Sequence, residues 1–292
     1  MKHAYLIIAH NEPEVLRRLI DALDDERNDI YLHIDKKASF DGRDIKTAKS
    51  KLYLLENRID ARWGDFSLVE VELALFKEAH QKREYSYYHL LSGVDFPIKT
   101  QDYIHAYCQN HAGTEFIGFS QNATAKELRW RSQHYFIFAK DFNKTSFAKR
   151  ALRGGFVLLQ TFVCYRRVRE EVKKGSQWCS VTHDFVSYLL SCEAYIRKYF
   201  NHTYCPDELV MQTLCWNSKF KDRVYSLTDE FIGCKRFIKW VNGTLQPLAM
   251  ADVTNMMRSG SWFARKFSNS DQHILDAILI ENMKNKIQIK SI

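Results

Sequence analysis

Four prolines, eleven glycines and no low-complexity linker in 292 residues leave this chain poor in breaks, which excludes collagen-like and Pro/Gly-rich disordered classes. Seven cysteines, at 108, 164, 179, 192, 205, 215 and 234, are odd in number and scattered, without a C-x-x-C pair. That pattern excludes a disulfide scaffold and zinc-type spacing, and free thiols in a reducing compartment are the economical reading. No run of 18 uncharged apolar residues occurs, so the sequence holds no transmembrane candidate. The opening run Ala4-Tyr-Leu-Ile-Ile-Ala9 is too short for a secretory core and has no small-residue cleavage site, and the chain reads as soluble and not secreted. Recognised helix-turn-helix, RNP and zinc-finger patterns are missing too, so the net charge of +8 is no ground for a nucleic-acid partner.

What is present is apolar residue in quantity, 46% hydrophobic and 14% aromatic, enough for a substantial core. The excess positive charge is concentrated. Between 140 and 174 there are ten Lys and Arg (140, 144, 149, 150, 153, 166, 167, 169, 173 and 174) against Asp141, Glu170 and Glu171, a balance of 10 − 3 = +7. Inside that segment runs the apolar stretch 155–165, too short to cross a bilayer but flanked by cations, a combination suited to peripheral contact with anionic lipid. A core helix with a solvated basic end is the alternative reading.

The first hundred residues alternate between two periods. Residues 4–9, 30–34, 52–55 and 87–91 read as strands; 12–23, with Val15, Leu16, Leu19, Ile20 and Leu23 at helical spacing, and a stretch from about Ser67 read as helices. This β-α-β-β-α-β order predicts an α/β fold with a mostly parallel sheet, which binds ligands beyond the carboxyl ends of its strands. Polar residues fall at those ends: His10 and Asn11, Asp35, and Ser92-Gly-Val-Asp95. Further on, 115–119, 135–138 and 178–180 read as strands, the basic segment, 183–200 and 271–285 as helices, and 231–240 as mixed. One continuous domain over 1–292 is expected, with 140–174 as an insertion. In Tyr204-Cys-Pro-Asp-Glu-Leu-Val-Met-Gln-Thr-Leu214 an acidic pair follows a proline and opens a helix-period run. Proline and acids both suit a helix start, so Asp207 and Glu208 serve as caps or hold a carboxylate toward a cleft.

Seven segments in order resemble the core-2/I-branching β-1,6-N-acetylglucosaminyltransferases and peptide O-xylosyltransferases: Ala4-Tyr-Leu-Ile-Ile-Ala-His-Asn11, Tyr31-Leu-His-Ile-Asp-Lys-Lys-Ala38, Arg62-Trp-Gly-Asp-Phe-Ser-Leu-Val69, Leu90-Leu-Ser-Gly-Val-Asp-Phe-Pro-Ile-Lys99, Gly175-Ser-Gln-Trp-Cys-Ser180, Pro206-Asp-Glu208 and Phe263-Ala-Arg-Lys-Phe267. The resemblance implies a GT-A-type, Rossmann-like domain that takes a sugar from a UDP-sugar, inverts its anomeric centre and needs no divalent metal or other cofactor. Consistent with the last point, no Asp-x-Asp triplet occurs; Asp24-Asp-Glu26 comes nearest and closes an amphipathic helix.

Inverting transfer requires a base for the attacking hydroxyl, and the resemblance gives that role to Glu208, with Asp207 as cap or orienting partner. The departing diphosphate requires cations, for which Arg265 and Lys266 stand in the matching element and Arg236 is the counterpart of an upstream arginine. The nucleoside is expected over Asp35, His10 and the backbone at Ile8, with Trp63 as a floor and Asp95 orienting the donor or tying its loop; His33, turned to a different face, is expected to be structural. On the acceptor side, Glu127, Arg129 and Arg131 resemble a charged segment that touches the acceptor sugar, and Trp178 follows the Gly-Ser element beside it. The expected partners are a UDP-sugar, with N-acetylglucosamine ahead of xylose, and an oligosaccharide or glycoconjugate acceptor. A bacterial cytoplasmic enzyme at the inner membrane face, acting on surface polysaccharide, fits the absence of an anchor; a non-catalytic binder of nucleotide or glycan is the other reading.

Overall fold

The computed structural model describes residues 2–142, 146–162, 168 and 170–290. Strand β1 (His3–Ala9) is apolar on both sides because both faces of the sheet are covered. Leu6 and Ile8 face one core with Val69, Leu73 and Phe76, whereas Tyr5, Ile7 and Ala9 face another with Leu16, Leu19 and Ile20. The side chains that meet those two cores come from α1 (Pro13–Leu23) and α2 (Ser67–Lys82), on opposite faces.

Strands β2 (Asn28–Ile34), β3 (Lys51–Leu54) and β4 (Tyr87–Ser92) join β1 in parallel, and β6 (Ser180–Thr182) closes the edge antiparallel to β4. The order is β3-β2-β1-β4-β6. Successive strands step outward from β1 on one side and then resume on its other side at β4, so the crevice between the carboxyl ends of β1 and β4 is a topological switch point. Gly93 sits there because a Cβ would lie 2.7 Å from the Ala9 Cβ, and its N–H donates to the Ile8 carbonyl at 2.8 Å.

A second sheet, β5 (Asp95–Pro97), β10 (Phe263–Arg265) and β7 (Arg236–Ile238), has the order β5-β10-β7 and brings the C-terminal third back to that crevice. The remaining elements are α3 (Gln101–Asn110), α4 (Ala125–Gln133), α5 (Phe147–Phe162), α6 (His183–Ser191), α7 (Glu193–Phe200), α8 (Val210–Trp216), α9 (Glu230–Cys234), the short hairpin β8 (Trp240–Val241) and β9 (Thr244–Leu245), α10 (Val253–Arg258) and α11 (His273–Lys290).

The α/β class and the parallel order agree with the sequence reading; three local expectations do not. Residues 135–138 form no strand, since the Phe136 N–H goes to His202 O and the Tyr135 backbone to the Gln160 side chain. In 115–119 only single bridges form, Glu115 to Val224 and Phe116 to Ser180. The helix expected over 183–200 breaks at Cys192 into α6 and α7. Asp24 closes α1 by accepting N–H bonds from Ala48, Lys49 and Ser50. Of the basic segment, Lys144, Arg166, Arg167 and Arg169 lie outside the described residues.

Candidate active site

The turn that carries Glu208 is held in an unusual shape. Cys205 has φ of 45°, in the left-handed region that a side chain disfavours, and its N–H donates to Gly64 O at 3.1 Å. Pro206–Glu208 then forms one 3₁₀ turn, and α8 starts only after Leu209, so Glu208 lies just ahead of the helix it was expected to open. Beneath it, the Gly175 N–H donates to the Glu208 carbonyl at 2.9 Å. A Cβ on Gly175 would stand 1.9 Å from Gly118 O, so only glycine lets the 174–178 strand of chain pass this close.

The Glu208 carboxylate is 34% exposed and meets two cations, Arg131 Nη1 at 3.0 Å and Lys174 Nζ at 3.9 Å. Arg131 itself is buried. Its Nε donates to Tyr204 O at 3.0 Å and its Nη2 to Cys205 O at 2.6 Å, so one guanidinium grips both the turn and the acid that the turn presents. Glu127, one turn back on α4, accepts from Lys174 at 2.8 Å and from Arg131 at 3.3 Å; burial raises its carboxyl and the two cations more than offset that, leaving it below the usual range. Arg131, expected to touch acceptor, therefore has its donors directed at the chain's own oxygens. Arg129, two residues from each of Glu127 and Arg131, falls on a different side of α4, where it lines a groove of about 360 Å³ against Val168 and residues 170–173. The structure does not bring it to Glu208.

Acid surrounds the turn. Burial, then the neighbouring Glu208 charge, pushes the Asp207 carboxyl up to about 7, and its Oδ1 has no hydrogen-bond partner among the described residues. Glu72 is raised by burial and then by Asp207, and it accepts from Gln177 at 2.7 Å. Glu230, at the start of α9, is raised by burial and then by Glu208.

At the strand ends the expected donor residues divide. Asp95 is buried, accepts the Ser92 N–H at 3.0 Å, and forms an ion pair with Arg265 at 3.2 Å. The Arg265 guanidinium also lies 4.3 Å from the centre of the Trp178 ring, so a residue expected on the donor side and one expected on the acceptor side form one stack. Lys266 is half-buried, and no hydrogen bond or ion pair engages its ammonium among the described residues. His10 is exposed at the rim; partial burial, Lys37 and Arg265 hold its imidazole below the usual range against the pull of Asp35, so each of these three groups lies within electrostatic reach of the His10 ring. Asp35 is buried and accepts from the Lys37 and Ala61 N–H groups and the Lys37 ammonium. Ile8 is buried, its carbonyl taken by Gly93. Trp63 is half-exposed and packs edge-on against Tyr204 and Phe142, beside the Glu208 turn. His33 is buried and accepts the Ile59 N–H at 2.9 Å, a structural role.

Arg236 requires a correction. It is 1% exposed, and its donors go to Cys234 O, Cys179 O, Leu90 O and Ser180 Oγ at 2.7 to 3.3 Å, fastening β4, the chain entering β6 and β7 together. A guanidinium so enclosed is a core fastener and does not reach the crevice.

The segment 174–178 links the two poles. Gly175 bonds Glu208 and Trp178 stacks on Arg265, three residues apart, a span of at most about 11 Å. Lys174 falls in the basic segment and no sequence motif marks Glu230; Gly175 belongs to the Gly-Ser element, but nothing local says that its N–H meets Glu208. Among the described residues one group has metal-ligand spacing, His3, His89 and Cys108, buried in the core at the side of a cavity of about 580 Å³ that borders the amino ends of β1 and β4, away from this crevice.

Against known proteins, the sequence model of the Core-2/I-Branching enzyme family matches residues 3–259. Xylosyltransferase 2 of Rattus norvegicus is 21% identical over 298 residues, covering 94% of this chain and 33% of that protein. The beta-1,3-galactosyl-O-glycosyl-glycoprotein beta-1,6-N-acetylglucosaminyltransferase of Homo sapiens is 24% identical over 251 residues, covering 81% and 54%. The chain thus spans a third to about half of the length of these curated relatives. Among solved structures, S. aureus TarS residues 1–349 align with TM-score 0.38 and 10% identity over 75% of this chain and 56% of that one, and apo mouse xyloside xylosyltransferase 1 with 0.32 and 11% over 73% and 81%.

Proposed function

The chain belongs to the Core-2/I-branching enzyme family, and we propose that it is an inverting, metal-independent glycosyltransferase moving N-acetylglucosamine from its UDP-sugar to a hydroxyl of an oligosaccharide or glycoconjugate. The observation that carries this reading is the Glu208 carboxylate: one third exposed, at the mouth of a turn that Arg131 and Gly175 hold from behind. A base must keep a fixed direction toward the incoming hydroxyl, and a bound guanidinium supplies that direction without occupying both carboxylate oxygens.

The acceptor hydroxyl attacks the anomeric carbon from the face opposite the diphosphate and passes its proton to Glu208 as the new bond forms. The bond to the diphosphate breaks, and UDP leaves with its added charge facing Lys266 and Arg265. One cation at ~4 Å and an effective dielectric of ~20 offers about 4 kcal/mol of gross attraction, so the unengaged Lys266 ammonium is the stronger contributor and Arg265, shared with Asp95, the weaker. Arg236 takes no part. Asp35, His10 and the Ile8 strand end supply the nucleoside edge, Glu127 and Lys174 line the acceptor side next to the base, and Arg131 acts through Glu208 as a positioning residue.

The test is a panel of UDP-sugars, UDP-N-acetylglucosamine and UDP-xylose included, run with and without EDTA on the wild type and Glu208→Gln. Turnover of UDP-N-acetylglucosamine that survives the chelator, and a Gln variant that binds UDP with unchanged affinity but has lost at least ~10²-fold in rate, is the expected result. Turnover that vanishes with EDTA and returns with manganese refutes the cation assignment; a Gln variant of undiminished rate refutes the base; preference for UDP-xylose corrects the donor.

A further inference from the structure

Helix α5 (Phe147–Phe162) is amphipathic and is mounted with its apolar face outward. At 100° per residue, Phe147, Leu158, Phe162, Leu159 and Leu152 fall within one arc of about 140°, with only Ala and Gly between them. These five side chains are 87%, 62%, 81%, 56% and 62% exposed. The opposite face is the one that touches the body: Gln160 is buried and bonds both the N–H and the carbonyl of Tyr135, Arg153 lies 3.8 Å from the centre of the Phe142 ring, and Lys149 packs over Phe138. A helix of a water-soluble body buries its apolar stripe; this one shows the stripe to the surroundings and buries its amide.

We propose that α5 docks on the surface of an anionic lipid bilayer, with the phenylalanines and leucines in the acyl boundary, and that the acceptor is a glycan carried by a lipid of the same surface. The choice of occupant follows from charge and length. Arg150 is exposed beside the stripe and Lys149 and Arg153 stand on the helix's inner side, so the helix itself carries three cations and no acid, and an anionic headgroup layer is the complementary partner. Sixteen residues make about 24 Å of helix, short of the ~30 Å hydrocarbon core, and no described helix is long and apolar enough to cross a membrane, so α5 lies in the interface. The second half of the inference rests on the proposed transferase reading. From α5, Arg153 meets Phe142, Phe142 meets Tyr204 at 4.2 Å between ring centres, and Arg131 joins the Tyr204 carbonyl to Glu208. Only that short relay separates the docking face from the Glu208 turn, so a docked enzyme holds its base close to the bilayer surface, within reach of a glycan borne on a lipid.

The test uses the full chain and co-sedimentation with vesicles of phosphatidylcholine alone or mixed with phosphatidylglycerol. Binding to the mixed vesicles, at least tenfold weaker to phosphatidylcholine alone, and lost at least tenfold in Leu158→Asp/Phe162→Asp, is expected; both positions are exposed, so the fold tolerates the change. Failure to sediment, or equal binding by the double variant, overturns the docking. A lipid-free dimer that the double variant dissociates, with no vesicle binding, also overturns it in favour of a second copy of the chain as occupant. Incubating native membranes with radiolabelled UDP-sugar tests the acceptor: label in the organic-extractable lipid fraction supports it, and label confined to water-soluble glycan overturns it. Vesicle binding needs no turnover, so a protein that docks but transfers nothing fails on the proposed function and not on this inference.

Discussion

Replacing Arg131 by Met removes a positioning guanidinium while keeping most of the side chain's volume. Three of its bonds, to Tyr204 O, Cys205 O and Glu208 Oε2, run from one buried charge at 2.6 to 3.0 Å. Hydrogen bonds to charged groups contribute about 1.5–3 kcal/mol each, and the Glu208 share is discounted because that carboxylate is 34% exposed and partly screened. The two undiscounted bonds put the stability lost at about 3–6 kcal/mol, readable as a shift of the urea midpoint. For turnover, a base displaced by about 1 Å loses on the order of 10²-fold. R131M should therefore lower kcat about 10²-fold while acceptor KM moves by less than ~3-fold, and R131K, which restores the charge without the fork, should recover part of the loss. In an E208Q background the same substitution should lower kcat by less than ~3-fold, because the group it positions is already gone. An unchanged kcat with a tenfold or larger rise in acceptor KM would refute this reasoning and return Arg131 to the acceptor-binding role that its sequence neighbourhood suggests.

Gly175→Ala should destabilise the fold by about 3 kcal/mol or more in urea titration and depress kcat, since its Cβ meets Gly118 O at 1.9 Å and the backbone bond to Glu208 must lengthen; an Ala variant of wild-type stability and rate contradicts the close approach. Lys266→Ala should weaken UDP binding at least tenfold by calorimetry, with less salt dependence than the wild type, and unchanged affinity would remove Lys266 from the diphosphate site. Burial pushes Glu115 up to about 7 against the Thr182 hydrogen bonds. An unfolded glutamate titrates near ~4.3, so the folded state binds the extra proton between about 4 and 7 and stability falls as pH rises through that window, by at most about 4 kcal/mol. Glu115→Gln should flatten this slope in pH-dependent melting without changing the pH–rate profile; an unaltered slope would place its origin elsewhere, with Asp207 the next group to replace.

Local pattern was enough for the parallel sheet, since an apolar run such as β1, followed by amphipathic α1 and a second apolar strand, has few other ways to bury both its faces. It was the resemblance of short segments in order along the chain that named Glu208, Asp95 and Arg265 as candidates, and the structure joins Asp95 to Arg265 and sets Glu208 against Arg131. The pairings were not legible: Arg131 and Glu208 stand 77 residues apart, and nothing in either segment says that the arginine faces the acid and not the acceptor. Arg236 shows the same limit in the other direction, since its neighbourhood resembles a diphosphate-binding element until the carbonyls of Leu90 and Cys179, far along the chain, are seen to enclose it. Lys174 and Gly175 became part of the site only through chain packing against the Glu208 turn. For α5, periodicity wrote the apolar stripe into the sequence, but which face the helix turns outward is decided by contacts at Gln160, Arg153 and Lys149. Period and composition act over one or two turns of chain, whereas burial and partnership are set by what distant segments place alongside.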